Sequence, residues 1–141
     1  MQRMLSIEEN GGAVGNHNIW VQVFDAKGNP WTGVIICRYY ALQLSPPDPH
    51  ACGVSGDSGP GRMHFDMYDG DMVFVAAPDP QHRPRSPFTR SLEQDSKKMN
   101  DLQELVDSGY CVSIEDCQQR IPVNLMVYSH YSYEVHFTRR W

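Results

Sequence analysis

The sequence has no run of roughly 18 apolar residues, so it offers no transmembrane helix. It has no CxxC pair and no Cys/His spacing of the zinc-site kind. There is no internal repeat and no heptad run. Residues 1–12 lack an apolar stretch, so the start does not read as a signal peptide. On that reading the chain is cytosolic as made, exported by another route, part of a virion, or a piece of a longer secreted protein. Basic residues are the minority, with 12 Lys and Arg against 17 Asp and Glu and a net charge of −5. A nucleic-acid partner would call for a basic stripe to neutralise phosphates, and the one basic stretch, His82 to Arg90, is broken by prolines and reads as a solvated loop. We therefore expect neither nucleic acid nor membrane insertion.

What is present suits one domain. The 141 residues are 40% hydrophobic and 11% aromatic, with 11 Gly and 10 Pro dispersed among them. Dispersed turn residues favour many short strands over a disordered tail. Residues 1–16, polar and Gly-rich, read as a flexible lead-in to a domain over 17–141. His17 to Asp25 alternates, with Ile19, Val21 and Val23 on one face and Asn18, Trp20, Gln22 and Phe24 on the other. Gly28-Asn29-Pro30 is turn chemistry, and Gly33 to Tyr40 is a more continuously apolar, central strand. Residues 41–61 form a long Pro- and Gly-rich loop. Arg62 to Met67 alternates with Met63, Phe65 and Met67 inward, Asp69-Gly70 makes a hairpin, and Met72 to Ala77 returns. Over 95–108 the period changes: Met99, Leu102, Leu105 and Val106 share one helical face, with Asp95 or Ser96 before it and Gly109 after it. Residues 110–122 read as irregular and Val123 to Tyr128 as a short strand. In the last strand Tyr131, Tyr133, Val135 and Phe137 face inward, leaving His130, Ser132, Glu134 and His136 outward. The sum is an all-β antiparallel sandwich with one short inserted helix at about 95–108.

His17 to Asp25, then Gly28-Asn29-Pro30 and Gly33-Val34, resemble the opening of prealbumin-like and carboxypeptidase-regulatory-like Ig-type domains. Those domains begin with a strand, a D-x-x-G-x-P turn and a G-V strand start. Ser55, Gly59, Arg62 to Phe65, Gly70 and Met72 to Val75 stand in for the family's next strand-turn-strand feature. His130 to Phe137, with Arg139 and Trp141, resemble the closing strand of Ig-like modules appended to bacterial secreted hydrolases. The resemblance covers about residues 16–77 and, more loosely, 130–141. It implies an Ig-like or prealbumin-like β-sandwich in an extracellular or virion setting, acting as a spacer, stabiliser, adhesion unit or carbohydrate-binding accessory. The helix at 95–108 departs from that pattern.

Four cysteines, Cys37, Cys52, Cys111 and Cys117, allow three pairings into two disulfides. Cys37, in an apolar strand, reads as a buried free thiol. Cys111 and Cys117 flank a short loop that a bridge would tighten in an oxidising compartment. For chemistry, His64 and Asp66 share an outward face, as do His130, Ser132, Glu134 and His136, and solvated surface residues account for both groups. Gly56-Asp57-Ser58-Gly59-Pro60 resembles the nucleophile loop of chymotrypsin-like proteases. The chain is too short for their two barrels, and no matching His and Asp precede Ser58. Asp57, Asp66, Asp69 and Asp71 offer hard oxygens, yet their spacing matches no known Ca²⁺ loop. We expect no enzyme and no cofactor. The aromatics are the most functional-looking feature: Trp20, Trp31, Tyr39, Tyr40, Tyr68, Tyr128 and Trp141. Trp20, Trp31, Tyr39 and Tyr68 are the candidate ligand-binding residues, suited to stacking on a glycan or a protein surface. The alternative is a self-assembling subunit, a virion decoration or filament protein and hence a homo-oligomer, joined by strand addition. A hydrolase with a His/Asp site comes third.

Overall fold

A computed structural model describes residues 1–12, 16–40, 51–99, 101–123 and 131–140, without the Tyr40 side chain. The reading of 41–50 as loop, most of the expected strand at 123–128, and His50, Tyr128, His130 and Trp141 lie outside the described residues. The architecture is mostly β: two sheets, largely antiparallel, with two short helices, compatible with an all-β sandwich. The strands are β1 (Gln2–Met4), β2 (Asn18–Phe24), β3 (Ile35–Tyr40), β4 (Cys52–Val54), β5 (Arg62–Asp66), β6 (Asp71–Val75) and β7 (Tyr133–Thr138). The first sheet has the order β1-β7-β2-β5 and the second β4-β3-β6. Helix α1 spans Gln103–Asp107 and α2 spans Ile114–Arg120.

Alternation does the work of facing the sheets. Ile19, Val21 and Val23 of β2, Met63 of β5, and Tyr133 and Val135 of β7 are buried from one side. Ile36 and Val73 meet them from the other in one shared core. A second, smaller cluster lies under Cys37, Phe74 and Ala76.

Several expectations are corrected. β2 and β7 pair in parallel, Ile19 opposite Tyr133; they are not joined by a hairpin, since β3 to β6 and both helices lie between them in the chain. Residues 1–16 are more than a lead-in: β1 pairs antiparallel with β7, and Met4 and Asn10 are buried. The single helix at 95–108 is broken. A 3₁₀ turn, Ser96–Lys98, is capped by Asp95, and Met99 is extended. Asp101 then accepts a hydrogen bond from the Gln103 amide at 3.0 Å and starts α1 afresh. The predicted face survives the break, since Met99, Leu102, Leu105 and Val106 all pack on the core. The segment read as irregular carries α2, capped by Ser113, whose Oγ accepts from the Asp116 amide at 3.1 Å. Ser132, read as outward, is buried: its Oγ donates to Asn16 O and accepts from the Asn18 amide, each at 2.9 Å.

Cys37 is not a free thiol. It sits directly opposite Cys52 across β3 and β4, and the two are disulfide-bonded. Cys111 and Cys117 are bridged as well. No helix among the described residues is long and apolar enough to cross a membrane.

Candidate functional site

The turn after β2 is built to hold Trp31 still. The Asp25 carboxylate accepts from the Lys27 and Asn29 amides at 2.8 and 2.9 Å, and Gly28 takes φ 87° between them. The Trp31 amide then donates to Val23 O at 2.8 Å. Its carbonyl accepts from the Ser55 hydroxyl at 2.7 Å, and Ser55 is fully buried. Gly61 passes so close that a Cβ there would sit 2.7 Å from Val23 O and 2.9 Å from the Trp31 amide, at φ 68°. Only glycine fits both the space and that φ.

Trp31 forms part of the wall of a cleft of about 640 Å³ between the two sheets. Val23 and Phe137 line it from the first sheet, Ile35 and Val75 from the second, and Pro78 and Pro87 from the connection after β6. Its polar groups are Arg85, Arg139, Arg140, Ser86, His136 and Thr138, and among the described residues no carboxylate lines it. The Arg139 guanidinium lies 4.9 Å from the Trp31 ring centroid, a cation–π approach. Ser86 is fixed by accepting from the Val75 amide at 2.8 Å. Size and apolar lining with a few convergent polar groups are those of a small-ligand site.

A larger hollow, about 760 Å³, opens beside β1, with Arg3, Arg90, Glu93, Asp101 and Glu104 on its walls. Its arginines are already matched: Arg90 pairs with Glu104, and Arg3 with Glu9 and Glu134 at 2.8 Å each. An anionic guest would have to compete with those carboxylates for the arginines.

The four aromatics singled out from the sequence do not converge. Trp20, on the outward side of β2, lies between Arg62, 4.4 Å from its centroid, and His64 at 4.7 Å. Tyr68, in the β5–β6 hairpin, is 56% exposed and has Arg38 at 4.8 Å. Tyr39 meets Phe88 edge-on at 6.1 Å over the second sheet. Only Trp31 lines the cleft. From sequence, Arg85 falls in the His82 to Arg90 stretch that reads as a solvated loop and Arg139 in the terminal run of the closing strand, so neither reads as a binding residue.

The Ser58 loop does contain a Ser–His contact: Ser58 Oγ lies 3.0 Å from His64 Nδ1. Among the described residues no carboxylate meets the other ring nitrogen, so nothing orients or charges the imidazole as a triad would. Glu134 and His136 do meet, at 3.2 Å, and His136 and Arg3 hold the Glu134 carboxyl low against its partial burial. The turn aspartates are tied up locally. Asp69 accepts from the Gln94 amide at 3.0 Å and from Lys98, which with Glu93 keeps its carboxyl low although burial works the other way. Asp71 is buried and accepts from the Tyr68 amide at 2.9 Å. These two residues fasten 93–98 and the hairpin; among the described residues no three carboxylates converge as a Ca²⁺ site needs.

No protein-family model, no curated protein and no solved structure matches the chain.

Proposed function

We propose that the protein is a non-catalytic binding module whose inter-sheet cleft takes a small amphipathic acid, with an apolar body between the sheets and an anionic group at the arginines. One observation carries this reading. In a chain with five more acidic than basic residues, the cleft gathers Arg85, Arg139 and Arg140 and, among the described residues, no carboxylate. A charge distribution that runs against the net charge concentrates anions where their apolar part is also sheltered. Clamped on both sides of its peptide plane, Trp31 presents a preformed wall, which lowers the ordering cost of binding. A sandwich of the Ig or prealbumin type, the family resemblance of residues 16–77, would suit such an accessory role, and the fold by itself dictates no function.

Isothermal titration with decanoate, decanol and a neutral oligosaccharide tests the proposal. Decanoate should bind, decanol at least tenfold more weakly, and added salt should narrow the gap between them by screening. Trp31→Ala should abolish decanoate binding, and Arg85→Gln should weaken it, with the fold intact by circular dichroism. Equal binding of acid and alcohol would remove the role of the arginines. Preference for the oligosaccharide, lost in Trp31→Ala, would replace this ligand class with a glycan.

A further inference from the structure

On the outer side of the second sheet, away from the shared core, the Cys37–Cys52 bridge lies under the turn that follows β6. That turn is firmly held. Asp79 accepts from the Gln81 amide at 3.1 Å and from Arg83 Nε at 2.9 Å, its carbonyl accepts from the His82 amide at 3.0 Å, and the Ala77 amide donates to Arg83 O at 2.8 Å. His82 sits in it at φ 47°, the one non-glycine residue with positive φ among those described. Its ring comes down on the sulfurs: one ligand atom each from Cys37, Cys52 and His82 lie within 4.8 Å of one another. His82 Nδ1 is buried and has no hydrogen-bond partner among the described residues. An orphaned buried nitrogen is costly, so a ring that carries one and lies beside two sulfurs asks for an explanation.

We propose that Cys37, Cys52 and His82 form a redox-gated site for a thiophilic d¹⁰ metal ion such as zinc. In the disulfide form the sulfurs are bonded to each other and the site is closed. A thiol reductant of the glutathione class opens it: two thiols are oxidised to their disulfide, the S–S bond breaks, and Cys37 and Cys52 take up two electrons and two protons as thiols. Metal binding then displaces both protons, giving two thiolates and one neutral imidazole nitrogen on the ion, with water in the fourth position. The geometry needs two small movements: the sulfurs, freed from each other, part to ligand spacing, and the imidazole closes on them from within 4.8 Å. With Zn–S of ~2.3 Å and Zn–N of ~2.0 Å, ligand atoms around a tetrahedral ion lie roughly 3.3–3.8 Å apart. The register of β3 and β4, with the two Cα atoms 4.0 Å apart, keeps the sulfurs adjacent after the bond is cut. Two sulfurs and an imidazole select zinc or copper(I) over calcium or magnesium. The other bridge, Cys111–Cys117, belongs to no such trio among the described residues.

The test uses the full chain, reduced and oxidised, with zinc alone as the probe. Native mass spectrometry should find one zinc per reduced chain and none on the oxidised one. Competition against a chromophoric chelator should show His82→Gln at least tenfold weaker than wild type. Bound zinc should protect Cys37 and Cys52, and not Cys111 and Cys117, from alkylation. Zinc held equally well by His82→Gln, or protection of the other pair, would overturn the proposal, because the metal would then sit on thiols without this geometry. A reduced chain that takes no zinc, or that loses its folded circular dichroism signal, would overturn it too, since the site requires β3 and β4 in register.

Discussion

Asp71 opens β6 with no solvent exposure, and burial pushes its carboxyl up to about 6 against the pull of the Tyr68 amide and the nearby Arg38, 3.5 Å away. An acid whose folded pKa lies above its unfolded value binds more protons folded than unfolded between the two. Stability therefore falls as pH rises through that window, here from about 4 to about 6. Two units correspond to about 3 kcal/mol. Asp71→Asn keeps an acceptor for Tyr68 and removes the titration, so urea denaturation between pH 4 and 7 should show a flatter profile than wild type. Glu93, also pushed up by burial, keeps some slope in the variant. Glu9 acts in the opposite sense and mostly at lower pH: the Arg3 guanidinium holds its carboxyl down to about 2, so its share of stability is lost as pH falls from about 4.5 towards 2 and touches only the acid end of the titration. An unchanged slope in Asp71→Asn would mean that the carboxylate is hydrated in solution.

At the scale of elements, strands were legible and their breaks were not. β2 could be read residue by residue because three alternating β-branched residues fill one face, and its burial follows that alternation without exception. The same held for Met63 and for Tyr133 and Val135, where one face is fully buried. β1 was invisible because three residues give no period and its hydrogen bonds come from β7, distant in sequence. The cleft was half legible: Trp31 stood out, while its arginines gain meaning only when Arg85 and Arg139 converge in space. Helix α2 did carry a signal, the Ser113-x-x-Asp116 spacing of a capping box. Ser113 Oγ caps the Asp116 amide, and Asp116 reaches back to the Val112 amide at 3.0 Å. Competing turn chemistry around Gly109 masked it. Ser113→Ala leaves an orphan donor at the start of a seven-residue helix and should cost about 1 kcal/mol, read as a lower urea midpoint with an unchanged slope. The Cys111–Cys117 bridge shares this helix, so no measurable loss would show that the disulfide alone fixes the turn.

For the whole molecule the decisive pairing is a distant one. The Asn18 amide donates to Ser132 Oγ across a separation of 114 residues, and β2 lies between β7 and β5 with both flanks bonded. Closing so long a loop carries an entropic cost before any contact rewards it, which makes this ladder late to form and slow. Once formed it joins both ends of the chain, because β7 also carries β1. The second sheet is different: β4 has three residues, none of them buried, and depends on one neighbour and one disulfide. Hydrogen exchange should resolve the two. Amides of Ile19, Val21, Val23 and Val135 should exchange only through global unfolding, and those of β4 through smaller, local openings. Reduction with a thiol should lower protection in β4 and its partners on β3 while leaving the β2–β7 ladder near its original value. Equal loss in both sheets would mean that the shared core under Ile36 and Val73 couples them into one cooperative unit, so that the cleft between them could not open without unfolding the protein.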